Sequence, residues 1–246
     1  MSRSTSQIDS RLTTAIEDDP RVLDDAIRRF DAGGPPVVLV GVVHDHPASV
    51  FRVASVVDAV EPETIAIEVP SLLVPAYASD RDGAGGEVTA AIAANPSIPV
   101  AGIDIPGRRT LRSVLAELRT SRAPPRTALR TLRSTAEIAA RTVAARLSRL
   151  GVPGVPTVEQ LELTQEYDIS AAASPARQAD HERAHLRRGM ALVDSLTPPP
   201  ETALLDAIRE RQMADRLAAL RRAGPVVCVV GFSHLDGVAA RLKKGS

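Results

Sequence analysis

Four short runs of apolar, mostly β-branched residues constrain the fold of this chain more than any other feature of its sequence. Each run follows a turn that contains Gly or Pro, and the runs lie at 35–43, 64–69, 98–104 and 225–232. Runs that are apolar throughout are typical of parallel strands that are buried on both faces of a sheet. The four runs therefore predict a mostly parallel sheet.

Helical patterns separate these runs, at 48–60 and 110–118, and a short one follows the last run at 235–242. Strand–helix alternation predicts an α/β domain, in which helices flank the sheet. Between 125 and 222 we find no strand pattern and three helical stretches, at 128–150, 177–196 and 201–222. We expect a helical and polar N-terminal segment at 1–34 and a single α/β domain at 35–246, with a long all-helical insertion at about 125–222, before the last strand.

Composition excludes several classes of protein. The chain has 246 residues, a formal net charge of zero, one Cys and 2% aromatic residues. A dedicated nucleic-acid binder would normally be basic, so we expect no nucleic-acid partner. The polar N-terminus does not resemble a signal peptide, and no apolar run is long enough to span a membrane. We expect a cytoplasmic, soluble protein, and the valine-rich helix at 48–60 leaves room for a homodimer.

The positive charge is concentrated in one part of the chain. The stretch from Arg108 to Arg149 holds many arginines and only two acids, Glu117 and Glu137. Such a stretch is either a patch for an anionic partner or a solvated helical face whose acidic partners lie elsewhere in the fold. The sequence leaves both interpretations open.

Candidate functional residues follow the ends of the predicted strands. His44 follows the first run, Glu68 and Asp104 lie near the ends of the second and third, and His234 follows the last. Ligands of open α/β sheets bind beyond the carboxyl ends of the strands, so we expect these four side chains at one edge. Two imidazoles with one or two carboxylates suit a divalent metal ion, with His46 as a further ligand.

A competing motif lies in the insertion, where His181-Glu182-Arg183-Ala184-His185 matches the H-E-x-x-H pattern of zinc peptidases. Three nearby arginines at 183, 187 and 188 favour a solvated helix over a metal site. A zinc peptidase that uses His181 and His185 stays as an alternative.

Two Arg-containing pairs could assist chemistry at the strand ends. Glu210 and Arg211 lie on the predicted helix before the last strand, and Arg108 and Arg109 follow Asp104. Glu68 or Glu210 could act as a general base, while Arg109 or Arg211 could bind an oxyanion or a substrate carboxylate. Cys228 lies in the middle of the most apolar run, where we expect a small core residue.

Five segments carry a family resemblance, in this order along the chain: GVVHDHPASV (41–50), TIAIEVP (64–70), GIDIPGRRTLRSV (102–114), IRERQMADRL (208–217) and VVCVVGFSHLDGV (226–238). They resemble the TraB/PrgY family, which is related to the Tiki proteases and to the ChaN-like fold. The family pattern includes a Gly-x-x-His, an Asp-Arg, a Glu-Arg helix and a final Gly-x-x-His-x-x-Gly.

The resemblance implies a ChaN/Tiki-like fold and a metal-dependent hydrolase or peptidase that acts on a peptide or related amide, with Mn, Co or Zn as its cofactor. It implies a catalytic core of His44, Glu68 and His234, surrounded by Asp104, Arg109, Glu210 and Arg211. The family also includes proteins that reduce the activity of a signalling peptide. A non-catalytic protein that binds a peptide or small ligand is therefore a second interpretation.

Overall fold

A computed structural model of the chain describes residues 5–75, 86–106, 110–149, 167–195 and 198–244. In this part of the chain, five strands form one sheet in the order β1-β2-β5-β3-β4. The strands are β1 (Ile27–Phe30), β2 (Val37–Val42), β3 (Thr64–Pro70), β4 (Val100–Asp104) and β5 (Val226–Gly231). All pairings except that of β1 with β2 are parallel, which confirms the predicted α/β fold.

The edge strand β1 is the element that the apolar pattern did not reveal. Its four residues, Ile27 to Phe30, include two arginines and form no continuous apolar run. It pairs antiparallel with β2, with Ile27 opposite Val40. The N-terminal 34 residues, predicted as a helical and polar segment, thus contribute both helix α1 (Thr5–Asp18) and an edge strand.

Helices cover both faces of the sheet, and the strands alternate their side chains between two cores. Helix α2 (Pro47–Val60) and α1 pack on one face against Val38, Val40 and their neighbours. Helices α7 (Pro200–Leu220) and α8 (Phe232–Lys244) pack on the other face against Leu39 and Cys228. Cys228 is fully buried, as expected for a core residue, and burial raises the pKa of its thiol.

Between β4 and β5, the described residues form helices joined by turns and loops, and none of them forms a strand. These helices include α4 (Thr110–Thr120), α5 (Pro125–Arg149), α6 (Pro175–Ser195) and α7, while the short helix α3 (Gly86–Ala94) lies between β3 and β4. The predicted helical stretches at 128–150, 177–196 and 201–222 therefore correspond to α5, α6 and α7. No helix in the described ranges is long and apolar enough to cross a membrane.

The chain turns sharply into a helix after β2 and after β5. The side chain of His46 caps α2 by accepting a hydrogen bond from the backbone N–H of Ala48 (3.2 Å), and Pro47 occupies the first turn. Helix α8 begins at Phe232, directly after β5, so His234 lies in its first turn rather than in a loop. A side chain at Gly41 would meet Leu235 of α8 at 2.8 Å, so this glycine permits the close helix–sheet packing.

Candidate functional site at the carboxyl edge of the sheet

The carboxyl ends of the parallel strands bring four predicted residues to one edge. We call His44, Glu68, Asp104 and His234 together the rim. The guanidinium of Arg209, on α7, connects three of them. It donates two hydrogen bonds to Asp104 (3.0 and 2.7 Å), one to Oε1 of Glu68 (2.8 Å) and one to Nε2 of His234 (2.8 Å). The expected meeting of strand-end residues therefore occurs, around an arginine that was not predicted.

His234 is held between two carboxylates. Its Nε2 lies 3.6 Å from Oε1 of Glu68, and its Nδ1 lies 3.5 Å from Oε1 of Glu210. Glu210 also pairs with Arg241 of α8 (3.0 Å). A Cβ at Gly237 would overlap the Glu210 carboxylate, so the glycine three residues after His234 leaves the space that this carboxylate fills.

His44 is held by the carboxylate of Glu87, which lies on a different helix from Glu210. Its Nδ1 lies 2.6 Å from Oε1 of Glu87, at the start of α3, and Oε2 of Glu87 accepts the backbone N–H of Asp45 (2.9 Å). Because a carboxylate accepts hydrogen bonds, Nδ1 carries the ring proton and Nε2 is left with its lone pair. The ring is 60% exposed, whereas Glu87 is buried.

Gly231, the last residue of β5, lies between His44 and Glu68. Its N–H donates to Oε2 of Glu68 (2.7 Å). A Cβ at this position would lie 3.2 Å from Nε2 of His44 and 3.4 Å from Oε2 of Glu68. Gly231 thus has a candidate catalytic imidazole and a carboxylate beside its Cα.

Neighbouring carboxylates raise the pKa of both imidazoles. The hydrogen bond to Glu87 raises the pKa of His44 above 6.5 against the opposing effect of burial. Burial lowers the pKa of His234, but the Glu210 carboxylate 3.5 Å from Nδ1 and the charge of Glu68 outweigh it, so the net pKa is raised. Burial lowers the pKa of Arg209, but Asp104 and Glu68 raise it to a net value above the ordinary one, so the guanidinium stays charged.

Glu87→Gln is expected to lower the pKa of His44 toward 6.5 and to leave that of His234 unchanged. NMR titration of the imidazole C–H signals measures both values, and an unchanged His44 titration would contradict the assignment. Because the folded-state pKa of His44 is raised, the pair contributes stability in full below pH 6.5. That contribution is lost as the pH rises through the folded-state pKa, and Glu87→Gln should remove it.

His46 lies in a separate aromatic cluster, so its predicted role as a rim ligand is not supported by its contacts. Because its Nδ1 accepts from Ala48, its Nε2 donates to Nδ1 of His181 (3.0 Å), and both ring nitrogens are engaged. Tyr167 packs edge-on against His46 and His185 and donates to the carbonyl of His44 (2.8 Å). Burial lowers the pKa of His46 to about 4.

The H-E-x-x-H segment attaches the insertion to the sheet domain. We expected a solvated helix, and Arg183 is indeed exposed, but Glu182 is fully buried and pairs with Arg52 and Ser49 of α2. The expectation is wrong on this face because Arg52 offers a buried charge partner from a distant segment. With its carboxylate in an ion pair, Glu182 is not placed as the general base that the zinc-peptidase alternative requires.

The two arginines predicted to assist the chemistry, Arg109 and Arg211, are not found at the rim among the described residues. Arg211 lies on the side of α7 that faces α4 and pairs with Glu117 (2.9 Å), so it does not join the rim contacts. Arg109 lies outside the described residues. Arg209 could have been identified from the sequence, because it lies four residues from both Leu205 and Met213 on the packing side of α7, where a charged residue needs a partner. No comparable feature of the sequence identified Glu87 as a partner of His44.

Within the described ranges, no group of three or more His, Cys, Asp or Glu side chains is arranged to hold a metal ion. At the rim, Arg209 hydrogen-bonds to both oxygens of Asp104, to one of Glu68 and to the Nε2 of His234. No protein-family model matches the chain, and no curated protein or solved structure shows significant similarity to it.

Proposed function

We propose that the rim is the active site of a hydrolase that acts on a peptide or a related amide with a divalent metal as its cofactor. One observation carries the proposal. Two imidazoles, His44 and His234, each have Nδ1 beside a carboxylate; Nε2 of His234 lies near Glu68, and Nε2 of His44 lies beside Gly231, which Glu68 also contacts. Histidines that bind metals in enzymes are held in this way through their second ring nitrogen.

The charge of the site favours a cation. Four carboxylates, those of Glu68, Glu87, Asp104 and Glu210, are countered by the guanidiniums of Arg209 and Arg241, which leaves two negative charges when the imidazoles are neutral. The same negative charge that raises the histidine pKa values would attract a divalent metal. His44, Glu68 and His234 would hold it, with Arg209 moved from Glu68 and His234 but still paired with Asp104.

A metal bound there would lower the pKa of a water molecule and polarise a carbonyl. The side chains have complementary roles. Glu87 and Glu210 would hold the two rings through Nδ1, and the oxygen of Glu68 that is not bound to the metal would accept the proton of an attacking water. Arg209 would bind a substrate carboxylate or a developing oxyanion, the role that the sequence suggests for Arg109 or Arg211.

Isothermal titration with Mn²⁺, Co²⁺ and Zn²⁺, together with turnover of a mixed library of quenched-fluorescence peptides, tests the proposal. We expect about one metal per chain. His44→Ala/His234→Ala should abolish metal binding and turnover, and Glu87→Gln should weaken metal affinity about 10–100-fold. His185→Ala is the matched histidine control and should bind metal like the parent. Metal loss in His185→Ala alone, or turnover unaffected by chelation, would overturn the proposal.

Arg209 also favours a second candidate function, the non-catalytic binding of a peptide or small anion. Its guanidinium holds a fixed positive charge at the centre of the rim without any metal. A binding protein of this kind keeps its ligand affinity in the presence of a chelator and loses it in Arg209→Gln. The hydrolase loses turnover under both conditions.

A further inference from the structure

Positive charge is concentrated on α4 and α5, outside the rim contacts. Residues 110–149 contain nine arginines and two glutamates, which gives this segment a net charge of +7 in a chain whose net charge is zero. Most of these arginines are exposed. No described carboxylate lies within ion-pair distance of Arg112, Arg119, Arg122, Arg126 or Arg141.

Exposed apolar side chains occur on the same two helices. Of the seven exposed large apolar residues among the described residues, five lie on α4 and α5: Leu111, Leu115, Leu129, Val143 and Leu147. Leu111 and Leu129 are 65% and 69% exposed. We call the exposed sides of α4 and α5, with these apolar residues and their arginines, the basic face.

The apolar residues of α5 form a stripe rather than a scatter. Leu129, Ala136, Ala140, Val143 and Leu147 follow one another at spacings of seven, four, three and four residues, and Val143 is 49% exposed. The opposite side of α5 packs inward, where Thr131, Thr142 and Ala145 are buried. Helix α5 therefore carries an apolar stripe on its solvent-exposed side, in addition to the side that packs inward.

The charge of the basic face decides which partner fits it. A second copy of this chain would bring one strongly positive helix pair against another, which repels. A nucleic acid would match the arginines but would leave the leucines in water, and the segment offers no aromatic ring for stacking. Arginines beside an exposed Leu/Val stripe suit a surface that is anionic outside and apolar beneath.

We propose that the basic face binds the surface of an anionic membrane. The arginines contact lipid phosphates, and Leu111, Leu129 and Val143 insert among the upper acyl carbons. The interaction is peripheral and involves neither the rim nor its chemistry, so its failure would leave the proposed hydrolase untouched.

Co-sedimentation of the full chain with vesicles tests the proposal. Vesicles of phosphatidylcholine with about one-third phosphatidylglycerol should bind the chain at low salt, and pure phosphatidylcholine vesicles should not. Arg119→Gln/Arg126→Gln/Arg141→Gln should weaken partitioning about 100-fold, since each arginine near an anionic surface contributes about fivefold. Leu111→Ser/Leu129→Ser/Val143→Ser should weaken it about tenfold or more.

The matched control carries three arginine substitutions on another exposed helix face, Arg177→Gln/Arg187→Gln/Arg188→Gln of α6, and should bind within about twofold of the parent. Three outcomes overturn the proposal. They are equal binding to both kinds of vesicle or to neither, parent-like binding by the basic-face arginine variant, and binding to a mixed-sequence oligonucleotide as tightly as to the anionic vesicles.

Discussion

Glu182→Gln is expected to lower the free energy of unfolding by about 3–5 kcal/mol, because it leaves the buried charge of Arg52 without its partner. Both side chains are fully buried, and they contact each other across α2 and α6. Burial lowers the pKa of Arg52, and the charge of Glu182 opposes this effect. Unfolding in urea, followed by circular dichroism, measures the change, which is a large part of the stability of an ordinary domain.

The matched control is Glu201→Gln, which removes the partner of Arg130 in an ion pair whose arginine is 68% exposed. That change should cost about 0–1 kcal/mol. Removing both buried charges, in Arg52→Met/Glu182→Leu, should recover much of the loss because no unpaired charge remains. A Glu182→Gln protein within about 1 kcal/mol of the parent would contradict the prediction.

The position of this pair explains why a distant helix matters for the rim. Arg52 donates to the carbonyl of Gly41 (2.7 Å) in β2, and Ser49, which contacts Glu182, accepts the backbone N–H of Val43 (2.8 Å). These groups hold the end of β2, directly before His44. Breaking the ion pair should therefore disturb the backbone that carries the exposed imidazole.

Arg209→Gln is expected to lower the free energy of unfolding by about 2–4 kcal/mol, because Glu68 and Asp104 lose the cation between them. Both carboxylates are only 9% exposed. Under the proposed function, a divalent metal replaces part of the lost charge. Mn²⁺ should therefore raise the thermal midpoint of Arg209→Gln more than that of the parent, as measured by differential scanning calorimetry.

Arg211→Gln is the control, since Arg211 lies two positions away on the same helix and pairs with Glu117 while 43% exposed. It should change stability by about 0–1 kcal/mol and should leave the response to Mn²⁺ unaltered. Equal stability losses in the two variants would mean that the rim carboxylates do not depend on Arg209. A parent-like Mn²⁺ response in Arg209→Gln would count against a cation at Glu68.

The apolar runs determined the sheet and, with it, the place of the rim. Parallel strands end at the same edge, so strand-end positions alone predicted that His44, Glu68, Asp104 and His234 would lie together. The same reasoning failed for β1, since a four-residue edge strand with two arginines has no apolar period to detect. It also failed for His46, whose side chain caps α2 and contacts His181 instead of the rim.

The sequence by itself determined the α/β architecture, the helical insertion and the strand-end histidines, because hydrophobic periodicity and turn residues act locally along the chain. Only the tertiary structure decided which charges pair. The partners Arg209–Asp104, His44–Glu87 and Arg52–Glu182 are 105, 43 and 130 residues apart. Burial makes an unpaired charge costly but does not specify its partner, so no local pattern could have named Asp104 as the partner of Arg209 or placed Glu87 beside His44.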